Sequence, residues 1–192
     1  GNLGGSLVGA GALGEGSETP RASLCGSPFP VLQQKSLSPV FCEAFFIQSF
    51  EIGNLKDLND MTNVRLVQLL GWGEETPYDQ AVSAAGLTYG AMMTDEGLAG
   101  AATYADGIGP WKVLIVPQDR DGNPLPATDL ITRAHAAGLV VHAYTFRNEP
   151  RYLIKTYNAD PKAEYRRFWS LGLDGLFSDF PATALTVRPN LE

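Results

Sequence analysis

Two successive units in the C-terminal third share one pattern: a helical stretch, a glycine, an apolar run and a polar end. In the first, PATDLITRAHAAG predicts a helix with Thr128 as its N-cap and Gly138 at its end, and LVVHAYTF predicts a strand. In the second, DPKAEYRRFWSLG predicts a helix that begins after Asp160 and stops at Gly172, and LDGLFSDF predicts the next strand. Strands separated by helices of this length pair in parallel through right-handed crossovers.

Weaker copies of the same unit lie upstream. FFIQSF and VRLVQLLG predict two short buried strands, and DGIGP predicts the end of a third. NLKDLNDM, YDQAVSAAG and TDEGLAGAATYADG predict helices, the last with Thr94 as its N-cap. The fold class is therefore α/β. An open doubly wound sheet and a (β/α)₈ barrel both fit this alternation, but no glycine-rich phosphate loop follows a strand, and polar strand ends favour the barrel.

Residues 1–44 differ from the rest of the chain. They are rich in Gly, Ser and Pro and show no sustained period of a helix or a strand. We therefore predict an irregular arm over residues 1–44 and a barrel-like unit over residues 45–192. Cys25 and Cys42 both fall in or beside this arm, and the sequence leaves open whether they form a disulfide.

Charge and hydropathy narrow the partners. The 192 residues carry 14 basic and 21 acidic side chains, a net charge of -7, which argues against nucleic acid because that partner requires clustered Lys and Arg. No stretch approaches the roughly 20 apolar residues that cross a bilayer. A small ligand that carries phosphate remains compatible with this composition.

Four ordered segments resemble one family. FIQSFE, YADGIGP, AHAAGLVVHAYTFRNE and LGLDGLFSDFPATA are similar to segments of glycerophosphodiester phosphodiesterases, in particular the longer periplasmic or secreted type. The resemblance implies a (β/α)₈ TIM-type barrel that hydrolyses glycerophosphodiesters to glycerol 3-phosphate and an alcohol. It also implies a divalent cation, calcium or magnesium, and a secreted or periplasmic location.

The resemblance covers only strands four to eight of such a barrel, because FFIQSF matches the fourth strand. The family carries its His-Arg pair, its Glu-x-Asp metal motif and a further Glu on strands one to three. Residues 1–45 contain no His and no Asp, and their only carboxylates are Glu15, Glu18 and Glu43. We therefore assign no catalytic residue and no metal ligand, and we expect this chain to be a poor catalyst by itself.

The resemblance implies a substrate-binding role for four residues. Gln48 and Phe50 alternate on one strand, so both can face the barrel interior, where the family places a ligand-facing segment. Tyr144 matches a position where relatives place an aromatic ring against the substrate. Arg147 can pair with phosphate through two hydrogen bonds, although a salt bridge to Glu149 is equally simple. Core packing is the alternative for Gln48, Phe50 and Tyr144.

Histidines and strand-flanking aspartates favour structural roles. His135 lies in a predicted helix and His142 in a predicted strand, and neither has a second His or a nucleophile at useful spacing. Asp174 and Asp179 flank the last strand, where carboxylates commonly cap turns.

Two explanations of the unmatched strands stay open. One is a fragment or a break in the upstream gene structure, which we favour because CEAF looks inserted before FIQSFE; the other is a diverged, non-catalytic half-barrel that binds a ligand or assembles with another chain. In either case five strands leave two exposed edges, so we expect the isolated chain to be marginally stable, to aggregate or to self-associate. Coverage of the opening by residues 1–45 is the alternative.

Overall fold

A computed structural model describes residues 9–10, 45–157 and 159–189. The predicted arm over residues 1–44 lies outside the described residues, except for Gly9–Ala10, and so do Cys25 and Cys42. The division of the chain into residues 1–44 and 45–192 stays a prediction.

The described residues form one sheet whose spatial order follows the order of the chain. Its strands are β1 (Gly9–Ala10), β2 (Phe45–Ser49), β3 (Arg65–Leu70), β4 (Gly107–Pro110), β5 (Val140–Phe146) and β6 (Gly175–Ser178). Strands β2 to β6 are parallel, each to the next, and β1 pairs antiparallel with the start of β2. The five parallel strands form a curled half-barrel, which confirms the predicted partial barrel.

Helices connect the parallel strands. They are α1 (Ile52–Met61), α2 (Tyr78–Val82), α3 (Tyr89–Met92), α4 (Asp95–Ala101), α5 (Lys112–Ile115), α6 (Leu130–Ala136), α7 (Pro161–Ser170) and α8 (Pro181–Leu185). Two 3₁₀ turns, Pro150–Tyr152 and Lys155–Tyr157, precede α7. Within the described ranges no helix combines the length and the apolar character that a membrane crossing requires.

Alternation along the strands separates two apolar layers. Leu66 and Leu70 of β3 point to the helices and join the large core between the sheet and the helical layer. Val67 and Leu69 point to the opposite, concave face, where they pack with Phe46 of β2 in a second, smaller cluster. Residues of even number on β2 and of odd number on β3 therefore line the concave face.

Local signals place several helix ends correctly. The Thr94 hydroxyl accepts a hydrogen bond from the Gly97 N–H at 3.1 Å, and the Asp160 carboxylate accepts one from the Lys162 N–H at 2.9 Å, so both predicted N-caps are confirmed. The N-cap of α6 is corrected by one residue. Asp129 occupies that position, and the Thr128 hydroxyl instead donates to the Leu114 carbonyl at 2.9 Å.

One buried ion pair joins the end of β4 to α7. The Lys112 Nζ lies 2.8 Å from the Glu164 Oε2, and the two side chains are only 5% and 1% exposed. The same ammonium donates to the Tyr152 carbonyl at 2.8 Å, while the second oxygen of Glu164 accepts from the Ile154 N–H at 3.1 Å. The pair therefore fixes the segment between β5 and α7 through its backbone.

Removing one partner of this ion pair tests how much the pair contributes to the stability of the fold. We expect Lys112→Met to lower the free energy of unfolding by about 3 kcal/mol, because Glu164 stays buried without its cation. Arg166→Met is the matched control. It removes a salt bridge to Asp160 whose partners are 54% and 48% exposed, and should cost less than about 1 kcal/mol. Urea unfolding of both variants gives the comparison, and equal losses would contradict the assigned role of the buried pair.

Candidate functional site

Parallel strands bring their carboxyl ends to one edge, here called the rim. Four aromatic side chains stand at this edge or within two positions of it: Phe50 after β2, Trp72 after β3, Trp111 after β4 and Tyr144 near the end of β5. Because each comes from a different strand, the curled sheet collects residues that are far apart in the sequence. Phe50 is 41% exposed and Trp72 is 48% exposed, so the rim keeps part of its aromatic surface open to solvent.

The backbone carbonyl of Leu70 holds three strands of the rim together. It accepts a hydrogen bond from the Tyr144 hydroxyl at 2.9 Å and another from the Trp111 N–H at 3.1 Å. Trp111 and Tyr144 also form an isolated parallel bridge. The Tyr144 ring is therefore fixed across the ends of β3 and β4, rather than left free to turn into solvent.

Phe50 packs edge-on against two tyrosines. Its ring centroid lies 5.8 Å from that of Tyr144 and 6.2 Å from that of Tyr89, with interplanar angles of 89° and 72°. Edge-to-face contact is the arrangement that aromatic quadrupoles favour. Tyr89 approaches so closely to Gly71 that an added Cβ there would lie 3.0 Å from its Cε2. Glycine at position 71 thus makes room for the ring that supports Phe50.

A fully buried amide lies beneath the rim. The Gln68 Nε2 is 3.0 Å from the carbonyl oxygens of Phe50 and Leu69 and 3.3 Å from that of Ser49. Its Oε1 accepts a hydrogen bond from the Tyr104 hydroxyl at 3.0 Å. The side chain satisfies backbone carbonyls where β2 ends, and it thereby fixes the position from which Phe50 projects.

The rim tyrosines stay protonated. Burial, together with smaller contributions from the nearby carboxylates of Glu75, Asp79 and Glu51, raises the pKa of Tyr89 to about 12. Burial is also the main cause of the raised pKa of Tyr144, with smaller contributions from Tyr89 and Glu75. Both phenols are therefore hydrogen-bond donors and ring surfaces near neutral pH, and neither is a base.

Arg147 lies at the next part of the rim, between β5 and β6. Its Nη2 is 2.8 Å from the Glu149 Oε1, and its Nε is 3.1 Å from the Asp179 Oδ2. The guanidinium also stacks 4.5 Å from the centre of the Tyr152 ring. The hydrogen bonds that the Arg147 guanidinium donates to the Glu149 carboxylate raise the pKa of Arg147. A phosphate would therefore compete with two carboxylates for this side chain.

Of the four predicted binding residues, the structure brings Phe50 and Tyr144 into contact. Gln48 is half-buried two positions before Phe50 and shares the concave side of β2 with Phe46. Arg147 follows Tyr144 by three residues but is engaged by Glu149 and Asp179. The binding roles of all four remain predictions.

Comparison with known proteins decides the family. Residues 41–183 match the glycerophosphoryl diester phosphodiesterase family. The chain belongs to this family. It is 38% identical over 140 residues to glycerophosphodiester phosphodiesterase GDPD6 of Arabidopsis thaliana, and 24% identical over 151 residues to a glycerophosphodiester phosphodiesterase of Haemophilus influenzae. These alignments cover 72% and 73% of the chain.

The chain spans only part of these relatives. Its alignment covers 36% of the Arabidopsis protein and 41% of the Haemophilus protein. A second Arabidopsis relative, glycerophosphodiester phosphodiesterase GDPDL1, is 38% identical over 100 residues, which is half of this chain and 13% of that protein. The resemblance read from the four sequence segments is thus confirmed at the level of the family.

Members of this family generally depend on a divalent cation. In residues 9–10, 45–157 and 159–189, no three His, Cys, Asp or Glu side chains lie close enough together to hold a metal ion. The two rim carboxylates near β6, Glu149 and Asp179, are both engaged by Arg147. This part of the chain does not supply a cation site of its own.

Tyr144 and Phe50 were predicted from the sequence as binding residues, whereas the two tryptophans of the rim were not. Trp72 follows Gly71, the first residue after β3, and Trp111 follows Pro110, the last residue of β4, in LLGWGEE and GIGPWK. That repeated position, one or two residues beyond a buried strand, was the available signal. Lys112 and Gln68 gave no such signal, because their partners Glu164 and Tyr104 are distant in sequence.

His142 packs among aromatic side chains, which agrees with the structural role that the sequence favours for it. Its ring lies 4.6 Å from the Phe46 ring and 6.3 Å from the Phe177 ring on the concave face. Burial lowers the pKa of His142 to about 4; Arg65 acts in the same direction and Asp174 opposes it. The imidazole is neutral in the folded protein near pH 7.

This depressed pKa predicts a loss of stability in mild acid. The unfolded chain takes up a proton as the pH falls below the ordinary value of about 6.5, whereas the folded protein resists protonation until the pH approaches 4. We expect the free energy of unfolding to fall by about 2 kcal/mol between pH ~7 and ~5 from His142 alone, at ~1.4 kcal/mol per pKa unit. Urea unfolding at both values should show a weaker dependence in His142→Gln than in the exposed control Met61→Gln. The same dependence in both variants would contradict the assignment.

Proposed function

We propose that this chain forms the substrate-contacting side of a metal-dependent glycerophosphodiester phosphodiesterase. The reaction converts a glycerophosphodiester and water to glycerol 3-phosphate and an alcohol. In this proposal the chain binds its substrate through the rim of strands β2 to β5, and it has little or no turnover by itself.

The Phe50–Tyr144 pair is the observation that carries the proposal. The two rings meet at 5.8 Å at the rim, and the Leu70 carbonyl holds the Tyr144 hydroxyl at 2.9 Å. A ring fixed before the ligand arrives loses little conformational entropy on binding. Phe50 keeps 41% of its surface open, which is apolar surface available to the carbon skeleton of a small substrate.

The side chains that the described part of the chain offers support the proposed low turnover. A phosphodiester bond is cleaved by stabilising charge on the phosphoryl oxygens and by moving protons. His142 is buried and neutral, and the rim phenols are held protonated by burial and nearby carboxylates. Arg147 is engaged by Glu149 and Asp179. These groups suit binding better than proton transfer.

A second candidate is a non-catalytic ligand-binding module. The observation in its favour is that the described residues bring no three potential metal ligands together. A non-catalytic module would use the same rim as its binding surface. The two candidates therefore differ in whether hydrolysis occurs when the rest of a phosphodiesterase barrel is present.

Direct binding tests the proposal without requiring catalysis. We expect calorimetry to show saturable binding of glycerol 3-phosphate to the purified chain, and Phe50→Ala to weaken it roughly three- to tenfold, the range of one lost aromatic contact. Met61→Ala is the matched control, because Met61 is 40% exposed but ends α1 at the opposite end of the sheet. Equal weakening by both substitutions, or no binding, would contradict the proposal.

Hydrolysis distinguishes the two candidates. The chain is incubated with glycerophosphocholine in the presence of calcium or magnesium, or of a chelator, and glycerol 3-phosphate is measured. We expect no release by the chain alone, and metal-dependent release after strands one to three of a related barrel are supplied. Binding without release in the completed barrel would favour the non-catalytic module. Metal-dependent release by the chain alone would contradict the proposed lack of turnover.

A further inference from the structure

Two tryptophans of the rim form a surface beside the Phe50–Tyr144 pair. The ring centroids of Trp72 and Trp111 are 5.7 Å apart and their planes are inclined by 59°. Trp72 is 48% exposed, an unusual position for the largest apolar side chain, and Trp111 is partly exposed. Trp111 bridges directly to Tyr144, so the tryptophans extend the aromatic surface of the rim rather than forming a separate patch.

Two backbone hydrogen bonds fix the turn that carries Trp72. The Trp72 carbonyl accepts from the Glu75 N–H at 2.9 Å, and the Gly73 carbonyl accepts from the Gly90 N–H at 2.8 Å. A Cβ at position 90 would lie only 2.8 Å from that Gly73 oxygen, so the close approach requires glycine. An exposed ring on a fixed turn is a preformed ligand surface, not a frayed loop.

The surroundings of this surface are acidic. The Glu75 carboxylate lies beside Gly71, where an added Cβ would be 3.4 Å from its Oε2. Glu51 and Asp79 stand close enough to Tyr89, together with Glu75, to act on its phenol electrostatically. The basic side chains that lie over aromatic rings contact rings other than those of Trp72 and Trp111. They are Lys56 over Tyr104, Arg65 over Phe46, Lys112 over Phe146, and Arg147 and Arg151 over Tyr152.

We propose that Trp72 and Trp111 form a subsite for the quaternary ammonium group of the substrate's alcohol. This inference rests on the proposed function and adds the kind of alcohol that the site prefers. A cation over an indole face is attracted by the ring quadrupole, and tryptophan is the strongest of the aromatic partners.

Charge and hydration distinguish a quaternary ammonium from the other groups that can stack on indole. A neutral polyol also stacks on indole, but it gains nothing from Glu75, Glu51 and Asp79. A primary ammonium is attracted by the carboxylates, but its strong hydration opposes transfer onto an apolar ring. A quaternary ammonium cannot donate hydrogen bonds and is weakly hydrated, so one exposed and one partly exposed ring beside acidic side chains match it on both counts.

Choline and its neutral analogue dimethylbutanol, in which carbon replaces the nitrogen, provide a direct test. Tryptophan fluorescence of the purified chain is titrated with each compound. We expect choline to bind roughly tenfold more tightly than dimethylbutanol, the ratio that corresponds to one desolvated cation–ring contact. Trp72→Leu should abolish this preference and Trp72→Phe should retain part of it. Trp169→Phe, in α7 on the outer layer, should leave it unchanged.

Each outcome decides the inference separately from the proposed function. Equal binding of choline and dimethylbutanol, or a preference that survives Trp72→Leu, overturns the ammonium subsite. If glycerol 3-phosphate binds but choline does not, the subsite is wrong and the proposed function stands. If choline binds with the expected preference but glycerol 3-phosphate does not, the subsite stands and the proposed function fails. Thermal unfolding of Trp72→Leu shows that the variant remains folded.

Discussion

The carbonyl oxygen of Leu70 is the point on which the rim depends. A parallel sheet leaves backbone carbonyls unpaired where its strands end, and a carbonyl oxygen has two lone pairs to satisfy. Leu70 satisfies both with its neighbours, through the Trp111 N–H and the Tyr144 hydroxyl. Satisfying a backbone group at the end of β3 thereby orients a ring from β5. Gln68 acts in the same way one layer below, because its buried amide donates to the carbonyls of Ser49 and Phe50 at the end of β2.

Local physics explains why the fold was predictable. The glycines at 138 and 172 adopt positive φ angles, and the N-caps at 94 and 160 satisfy helix N–H groups, so these boundaries could be read from neighbouring residues. Thr128 was misplaced by one position because its hydroxyl has a distant acceptor, Leu114. A local rule cannot anticipate a tertiary partner of this kind.

The candidate site was predictable only in part, for the same reason. Alternation along β2 places Gln48 and Phe50 on one face, and a position near a strand end places Tyr144 at the rim. Of the two carboxylates that engage Arg147, Glu149 could be predicted from the sequence because it is two residues away. Asp179 could not, because the fold brings it there from the end of β6. The pairing of Lys112 with Glu164 depends entirely on how β4 and α7 meet.

Strand order along the sheet equals strand order along the chain, and this has a consequence for synthesis. Each of β3 to β6 pairs with the strand made just before it, so none has to wait for a later segment or insert between two existing strands. During translation, which proceeds at about 5–20 residues per second, every new strand meets an edge that the ribosome has already released. The nascent half-barrel can thus grow by addition at one edge, with the aromatic rim completed when β5 emerges and Arg147 receiving its second carboxylate only with β6.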